Sequence, residues 1–217
     1  MTEENYYDSY LPGVLELFAG SRSIGKAAIQ LSFELFSSDI NDFEDIDYVV
    51  DIRKFDVNKV PFKPFIIWAS PPCTGFSVAS IGSHWTGGKK GYIPKTEIST
   101  IGIELVQKTI EIIKYFNPKY WFIENPRGLL RKMPFMQEFK RQTVWYCQYG
   151  DNRAKPTDIW TNSNTWIPRP CCFNGNKKCH HESAPRGAKT GTQGRNGAYD
   201  RSKIPHELCI EILQSCI

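Results

Sequence analysis

A cysteine follows two prolines in the stretch Ser70-Pro-Pro-Cys-Thr-Gly-Phe-Ser77. Each proline fixes its own φ and keeps the preceding residue out of helical geometry, so Cys73 is held on a stiff, extended turn. The run before it, residues 65–69, is apolar and predicts a short buried strand. The thiol therefore follows the carboxyl end of a strand, where open α/β sheets bind ligands. It could serve as a nucleophile, although a free cysteine is more often structural.

A strand, a turn of glycine and serine, and a helix of small residues are predicted over residues 14–28. Gly20 and Gly25 allow tight turning and the close approach of a ligand to the backbone. Their spacing, Gly-x-x-x-x-Gly, differs from the dinucleotide fingerprint, and no lysine follows as in a phosphate-binding loop. The turn fits a nucleoside cofactor without phosphates better, with Glu16 near its amino-acid end.

Two later segments complete an ordered set of motifs. Residues 121–126 form an apolar run that ends in a carboxylate and an amide, and residues 146–161 follow it. In this order the chain resembles the DNA (cytosine-5)-methyltransferases, particularly the short single-domain forms of phages and prokaryotes. The resemblance covers most of residues 13–213, and its matching segments are Glu16-Leu-Phe-Ala-Gly20, Ser70-Pro-Pro-Cys73, Glu124-Asn-Pro126, Arg153-Ala-Lys155 and, more weakly, Ile204-Pro-His-Glu-Leu208.

The resemblance implies a catalytic role for four residues. Cys73 would add to carbon 6 of cytosine, which makes carbon 5 nucleophilic enough to accept a methyl group from S-adenosylmethionine. Glu124 would hydrogen-bond the ring N3 and the exocyclic amine, a task for which a raised carboxyl pKa is suitable. Arg153 and Lys155 resemble the paired basic residues that hold the cytosine carbonyl. The family usually has arginine at the second place, and lysine lacks its planar fork.

The resemblance also implies a binding site for S-adenosylmethionine. Asp39, after the second strand, would accept hydrogen bonds from the ribose, and Asp51-Ile52 resembles the pair that contacts adenine. Both aspartates could equally be ordinary turn residues. Arg22 stands where the family often has a small residue. The full set of expected cofactor contacts is Phe18, Ala19, Gly20, Ser21, Asp39, Asp51, Ile52 and Pro71.

A cysteine- and histidine-containing segment, residues 171–181, has no counterpart among these motifs. Thiolate and imidazole are the natural ligands of zinc. The spacing is not that of a known zinc ribbon or finger, so reduced cysteines and surface histidines are an equally open interpretation. The expected ligands, if zinc binds, are Cys171, Cys172, Cys179 and His181.

Positive charge is concentrated near the carboxyl terminus. The formal net charge of the chain is only +4, but residues 169–203 hold eight Lys and Arg side chains against Glu182 and Asp200. Such a cluster suits a polyanion such as DNA, although a solvated loop would look similar. The expected phosphate contacts are Arg186, Lys189 and Arg195.

Length and periodicity predict a single α/β protein. A chain of 217 residues suits one domain with a sizeable core. Strands alternating with helices at 99–116 and 205–215 predict a mainly parallel, doubly covered, Rossmann-like sheet with a small irregular insert. The glycine-rich stretch 81–97 is interpreted as a mobile active-site loop. The predicted strands are 13–18, 32–37, 47–50, 65–69, 119–124, 143–148 and 157–160.

The same considerations predict how the chain is organised and where it works. The methyltransferase core is expected over 1–162, a target-recognition segment over 163–203, and a helix returning to the core over 204–217. No long apolar span and no signal peptide are evident, so no membrane partner is expected. The seven cysteines do not form a secreted disulfide framework. We therefore expect a cytoplasmic protein, as a monomer.

Alternative functions remain open at this point. An amino-group methyltransferase, acting on N4 of cytosine or N6 of adenine, also places a Pro-Pro motif after a strand, but with an aromatic residue where this chain has Cys73. A catalytically silent nucleic-acid-binding relative would have no need for Cys73, Glu124 and Arg153 together. RNA as the substrate is a variant of the favoured interpretation.

Overall fold

The computed structural model describes residues 11–88, 91–184 and 197–217. Its centre is a seven-stranded sheet, flanked by helices. The strands of this sheet are β1 (Gly13–Leu17), β2 (Glu34–Asp39), β3 (Tyr48–Val49), β4 (Ile66–Ala69), β7 (Tyr120–Pro126), β8 (Arg141–Trp145) and β9 (Pro156–Thr161). A separate two-stranded ribbon consists of β5 (Trp85–Thr86) and β6 (Ile93–Pro94).

Five α-helices are present in the described part of the chain. The longest begins after Thr96, whose side chain accepts a hydrogen bond from the backbone N–H of Ser99, and ends at Asn117 in the left-handed conformation. Pro118 follows, where a helix could not continue. The helices are α1 (Ser23–Gln30), α2 (Ile81–His84), α3 (Glu97–Phe116), α4 (Ala198–Ser202) and α5 (His206–Gln214).

The order of strands across the sheet is β3-β2-β1-β4-β7-β9-β8. The first five strands in this order are mutually parallel, whereas β9 is antiparallel to both of its neighbours. The carboxyl ends of β1, β2, β4, β7 and β8 therefore meet at one edge of the sheet, which is also where β9 begins. Ligand sites of open α/β sheets lie at this edge.

The core has two layers, one on each face of the sheet. Side chains alternate along a strand, so Val14 packs on one face with α1 and α5, and Leu15 on the other face with α3. Helix α5 contributes Leu208 and Ile212, both fully buried, to the layer that contains α1. The predicted Rossmann-like α/β fold with a mainly parallel sheet is confirmed.

Two segments differ from the sequence prediction. The predicted strand 143–148 ends at Trp145, because Tyr146–Tyr149 form a 3-10 turn that closes at Gly150 with φ 84°. Residues 81–97, expected to be a loop, contain α2, the β5–β6 ribbon and the start of α3. This segment is anchored by Trp85, which is buried and donates a hydrogen bond to the carbonyl of Gly75. None of the helices in the described ranges is long and apolar enough to cross a membrane.

Candidate active site

The Cys73 turn is tied to the two strands beside it. The amide of Ser70 donates to the carbonyl of Leu17 at the end of β1, and the side-chain amide of Asn125 in β7 donates to the carbonyl of Pro71 at 2.8 Å. Beyond the thiol, the amides of Phe76 and Ser77 both donate to the carbonyl of Cys73, each at 2.9 Å. These bonds fix the backbone on both sides of Cys73, whose side chain is half-buried.

Glu124 lies inside the protein with its carboxylate held by two hydroxyl groups. Its side chain is 5% exposed. Tyr146 donates a hydrogen bond of 2.9 Å to Oε1, and Ser70, itself bonded to the indole of Trp68, also donates to the carboxylate. Burial raises the pKa of Glu124, while the charge of Lys155 and the two hydroxyl groups oppose that rise. The residue is thus suited to carry a proton at higher pH than an exposed glutamate.

Lys155 joins these groups because of the sheet register. It directly precedes β9, whose Thr157 lies opposite Pro126, and so it meets the carboxyl end of β7. Its Nζ stands 4.5 Å from the centre of the Tyr146 ring and donates to the carbonyl of Arg201 at 3.0 Å. Burial lowers the pKa of Lys155, and the charge of Glu124 acts against that change.

The thiol of Cys73 is influenced by both charges. Burial raises its pKa; the Lys155 ammonium lowers it and the Glu124 carboxylate raises it. Lys155 favours the thiolate form of Cys73, and burial favours the protonated form of Glu124. This arrangement suits nucleophilic attack coupled to proton donation. The structure therefore brings Cys73, Glu124 and Lys155 together, as the sequence predicts.

Arg153 has a different environment from the one expected for a base contact. Its side chain is fully buried, and its Nε donates to both oxygens of Asp151 at 2.9 and 3.1 Å. Its two terminal nitrogens reach the carbonyls of Arg201 and Lys203 at 3.5 and 3.4 Å. The guanidinium thus binds protein groups, which ties the turn before β9 to the chain around α4.

The expected cofactor residues line the neighbouring part of the same edge. The turn after β1 reverses through Phe18, Gly20 and Arg22, all with positive φ, and Arg22 pairs with Asp45 at 3.1 Å. Ala19 bonds the end of β2 through the carbonyl of Ser38, and Ser21 shares a hydrogen bond with Ser23. Asp39, the last residue of β2, accepts the amide of Gly20 at 3.0 Å.

These residues fit a nucleoside ligand. A Cβ at Gly20 would meet nothing closer than 3.9 Å, and its nearest atoms would be Oδ2 of Asp39 and the carbonyl of Phe18. The space beside Gly20 is therefore open, and the Asp39 carboxylate, which has a lone pair to spare, borders it. Asp51 caps the 3-10 turn Ile52–Lys54, where Arg53 lowers its pKa by hydrogen bonding, and Ile52 is buried. Pro71, in the turn that precedes Cys73, is buried.

Glu16 is not free to meet a ligand in the way the sequence suggested. It is 2% exposed, and its two carboxylate oxygens accept the amides of Ile24 and Gly25 at 3.1 and 3.0 Å. A Cβ at Gly25 would stand 2.7 Å from Oε2, so the glycine is required by this contact. Burial raises the pKa of Glu16 to about 8, although both amides lower it. Its role is to cap α1.

Ser70, Asn125 and Tyr146 also belong to this site, although none of them is among the residues predicted from the sequence. Ser70 and Asn125 stand inside the matching motifs, so their adjacency to Cys73 and Glu124 is a signal that could identify them. Tyr146 had no such signal. It reaches Glu124 only because β8 and β9 are antiparallel neighbours and its amide bonds the carbonyl of Lys155.

The expected zinc ligands are only partly grouped. Cys172, Cys179 and His181 lie together, but Cys171 is exposed and does not belong to the group. Its place is taken by Cys147, from the 3-10 turn after β8. Cys171 and Cys172 are adjacent in a segment without regular structure, and of the two only Cys172 is buried.

The expected DNA contacts Arg186, Lys189 and Arg195 lie outside the described residues. In the described part of the same segment, Lys177 and Lys178 are exposed, whereas Arg169 is bound to Glu207 and Glu211 at 2.7 and 2.8 Å.

Comparison with known proteins agrees with the fold and the motifs. The profile of the C-5 cytosine-specific DNA methylase family matches residues 15–141. A probable DNA (cytosine-5)-methyltransferase of Frog virus 3 (isolate Goorha) is 31% identical over 217 residues, which are 94% of this chain and 99% of the viral protein. Among solved structures, a methyltransferase of Entamoeba histolytica superposes with a TM-score of 0.52 at 14% identity. That match covers 80% of this chain, which spans 58% of the longer protein. The chain belongs to the C-5 cytosine-specific DNA methylase family.

Proposed function

We propose that this chain transfers a methyl group to carbon 5 of cytosine in DNA through a covalent adduct of Cys73. The observation that carries the proposal is the convergence of the half-buried Cys73 thiol, the buried carboxyl group of Glu124 and the Lys155 ammonium at the carboxyl edge of the sheet. DNA as the substrate is supported by the viral relative, whose whole length this chain matches.

In the first step, the Cys73 thiolate would attack carbon 6 of the ring. Protonated Glu124 would give its proton to N3. The electrons of the carbon 5–carbon 6 double bond would move to the bond between carbons 4 and 5, and those of the carbon 4–N3 double bond to N3, so the product is a neutral enamine that is nucleophilic at carbon 5. Lys155 favours the thiolate before attack. Tyr146 and Ser70 orient the carboxyl group, and the 2.8 Å bond from Asn125 to Pro71 fixes the turn that aims the thiol.

The second half of the reaction needs a methyl donor. S-adenosylmethionine, bound along Phe18–Ser21, Asp39, Asp51, Ile52 and Pro71, would supply an electrophilic methyl group. Methyl transfer to carbon 5 would leave S-adenosylhomocysteine. The proton of carbon 5 would then pass to solvent water, its bonding electrons would form the carbon 5–carbon 6 double bond again, and the bond between carbon 6 and sulfur would break to release the Cys73 thiolate. N3 would return its proton to Glu124. Arg153 would act in positioning, since it binds Asp151 and the carbonyls around α4.

The decisive test uses a duplex that contains 5-fluorocytosine together with S-adenosylmethionine. Fluorine cannot leave as a proton does, so the adduct would persist and be visible as a protein–DNA band in a denaturing gel. Cys73→Ser should abolish the band. Cys171→Ser is the matched control, because Cys171 is the exposed cysteine, and its adduct should be unchanged.

Two outcomes would contradict the proposal. Methylation by Cys73→Ser at the wild-type rate would favour an amino-group methyltransferase, which needs no thiol. Methylation of RNA in place of DNA in a parallel assay would retain the chemistry and change the substrate.

A further inference from the structure

Four potential metal ligands from two separate parts of the chain meet beside the active site. Cys147 belongs to the 3-10 turn that follows β8, while Cys172, Cys179 and His181 belong to the irregular segment after β9. Their ligand atoms all lie within 4.8 Å of one another. In a tetrahedral zinc site with Zn–S bonds of about 2.3 Å, sulfur atoms are about 3.8 Å apart. For zinc to bind, the ligand atoms that are farthest apart would need to approach each other by only about 1 Å.

The burial of the cluster argues against four unrelated side chains. Cys147, Cys172 and His181 are 2%, 6% and 6% exposed. The Nδ1 of His181 lies 3.8 Å from the sulfur of Cys172, and its Nε2 is buried with no hydrogen-bond partner among the described residues. A buried imidazole without an oxygen or nitrogen partner is costly. A bound metal ion would give this imidazole the partner that it lacks among the described residues.

Side-chain amide groups surround three of the sulfur atoms. The side-chain amide of Gln148 stands 3.7 Å from the sulfur of Cys147 and 3.8 Å from that of Cys179. The amide of Asn176 stands 3.4 Å from the sulfur of Cys172. N–H donors directed at ligand sulfurs are the expected outer contacts of a zinc–thiolate centre.

We propose that Cys147, Cys172, Cys179 and His181 bind one structural zinc ion. Three thiolates and one imidazole form a closed tetrahedral set, which leaves no position for substrate. This set differs from the one predicted from the sequence, because Cys147 replaces Cys171.

The position of the ion gives it a function. Cys147 directly follows Tyr146, the residue that hydrogen-bonds Glu124. On the other side, Glu182 directly follows His181, and its amide donates to the carbonyl of Asn152 at 2.9 Å, next to Arg153. The zinc ion therefore fastens the irregular segment to the turns that carry Tyr146 and Arg153. Loss of the zinc ion would release that segment from the turns beside Glu124. The Gly20 turn would keep its own contacts with Asp39.

The test is metal content rather than activity. The full chain, expressed in zinc-supplemented medium and purified without chelators, should contain about one zinc per chain by elemental analysis. Cys171→Ser is the matched control and should retain it. Cys147→Ser and Cys172→Ser should each fall to less than a tenth of the wild-type content.

A second measurement covers variants that fail to fold. Wild-type protein in which cobalt(II) replaces zinc should show the visible absorption of a tetrahedral site and sulfur-to-cobalt charge transfer. The proposal is overturned by wild-type protein that takes up neither metal. It is also overturned by zinc that persists in Cys147→Ser but is lost in Cys171→Ser, or by a disulfide between two of these cysteines in freshly purified protein. Each outcome is independent of whether Cys73 forms an adduct.

Discussion

The phenol of Tyr146 donates a 2.9 Å hydrogen bond to Oε1 of Glu124, and both side chains are buried. Glu124 belongs to β7, and Tyr146 belongs to the 3-10 turn that follows β8, 22 positions later in the sequence. A hydrogen bond to a carboxylate favours its ionised form. Burial raises the pKa of Glu124, the carboxyl group that we assign to ring activation, and Tyr146 opposes that rise together with Lys155.

Tyr146→Phe removes this bond and should lower turnover by about 10-fold, the scale of one hydrogen bond to a charged group. The direction of the pH effect follows from the charge. Burial raises the pKa of Glu124 and the Tyr146 hydroxyl holds it down, so the variant should have a higher pKa. The alkaline limb of the turnover profile should then move to higher pH.

Tyr149→Phe is the control for this prediction. Tyr149 lies in the same 3-10 turn and is equally buried, but its hydroxyl accepts the amide of Arg169. Its pH profile should match the wild type. Identical profiles for Tyr146→Phe and Tyr149→Phe would show that Tyr146 does not act on Glu124.

Lys155 is predicted to activate the nucleophile through its charge. The ammonium lowers the pKa of Cys73 against the effect of burial. Lys155→Met should therefore raise that pKa and leave a smaller thiolate fraction at any given pH. The measurement is the pH dependence of iodoacetamide alkylation of Cys73, followed by mass spectrometry. Lys155→Arg, which retains the charge, should keep a curve close to the wild type; equal curves for Met and wild type would refute the role.

The parallel part of the fold could be predicted because its signals are local. Apolar runs such as 65–69, the glycine turn at Gly20 and the proline after α3 each act within a few residues. Those signals also place Cys73 and Glu124 at one edge, since parallel strands share their carboxyl end.

Contacts formed by the antiparallel strands could not be predicted in the same way. The sequence predicts Tyr146 and Cys147 as part of a strand, but in the structure they begin a 3-10 turn that closes at Gly150. Which residues they meet depends on the pairing of β8 with β9, and no spacing in the sequence specifies that register. For this reason the sequence predicts Cys171, the neighbour of Cys172 along the chain, whereas the structure places Cys147 beside Cys172 in space.

Asp39 should contribute to cofactor affinity. Its oxygens accept the amides of Gly20 and Asn41 at 3.0 and 2.9 Å beside the open space at the turn. Asp39→Asn keeps the shape but replaces one acceptor with a donor. We expect about 10- to 100-fold weaker binding of S-adenosylhomocysteine by calorimetry, the scale of one hydrogen bond to a charged group.

The matched control for Asp39 is Asp56→Asn. Asp56 accepts the backbone and side-chain amides of Asn58, the same local pattern that Asp39 makes with Asn41. Its variant should bind the cofactor product like the wild type. Affinity within twofold for Asp39→Asn would limit Asp39 to shaping the turn.

Glu16 should make the stability of the protein depend on pH. Its folded pKa is raised to about 8 from 4.5, so the folded state holds a proton that the unfolded chain releases. The contribution of Glu16 to the free energy of unfolding is therefore largest below pH 4.5. It falls as pH rises towards about 8, because the unfolded chain releases the proton first. The fall is at most about 1.4 kcal/mol per pH unit.

Glu16→Gln cannot release a proton, so its stability should decline less over this range. Urea unfolding of both proteins at pH 5, 6, 7 and 8 measures the difference, which should shift steadily in favour of the variant. A constant difference between the two proteins would mean that Glu16 keeps the same charge in the folded and unfolded chains, and that the two amides at the start of α1 outweigh its burial.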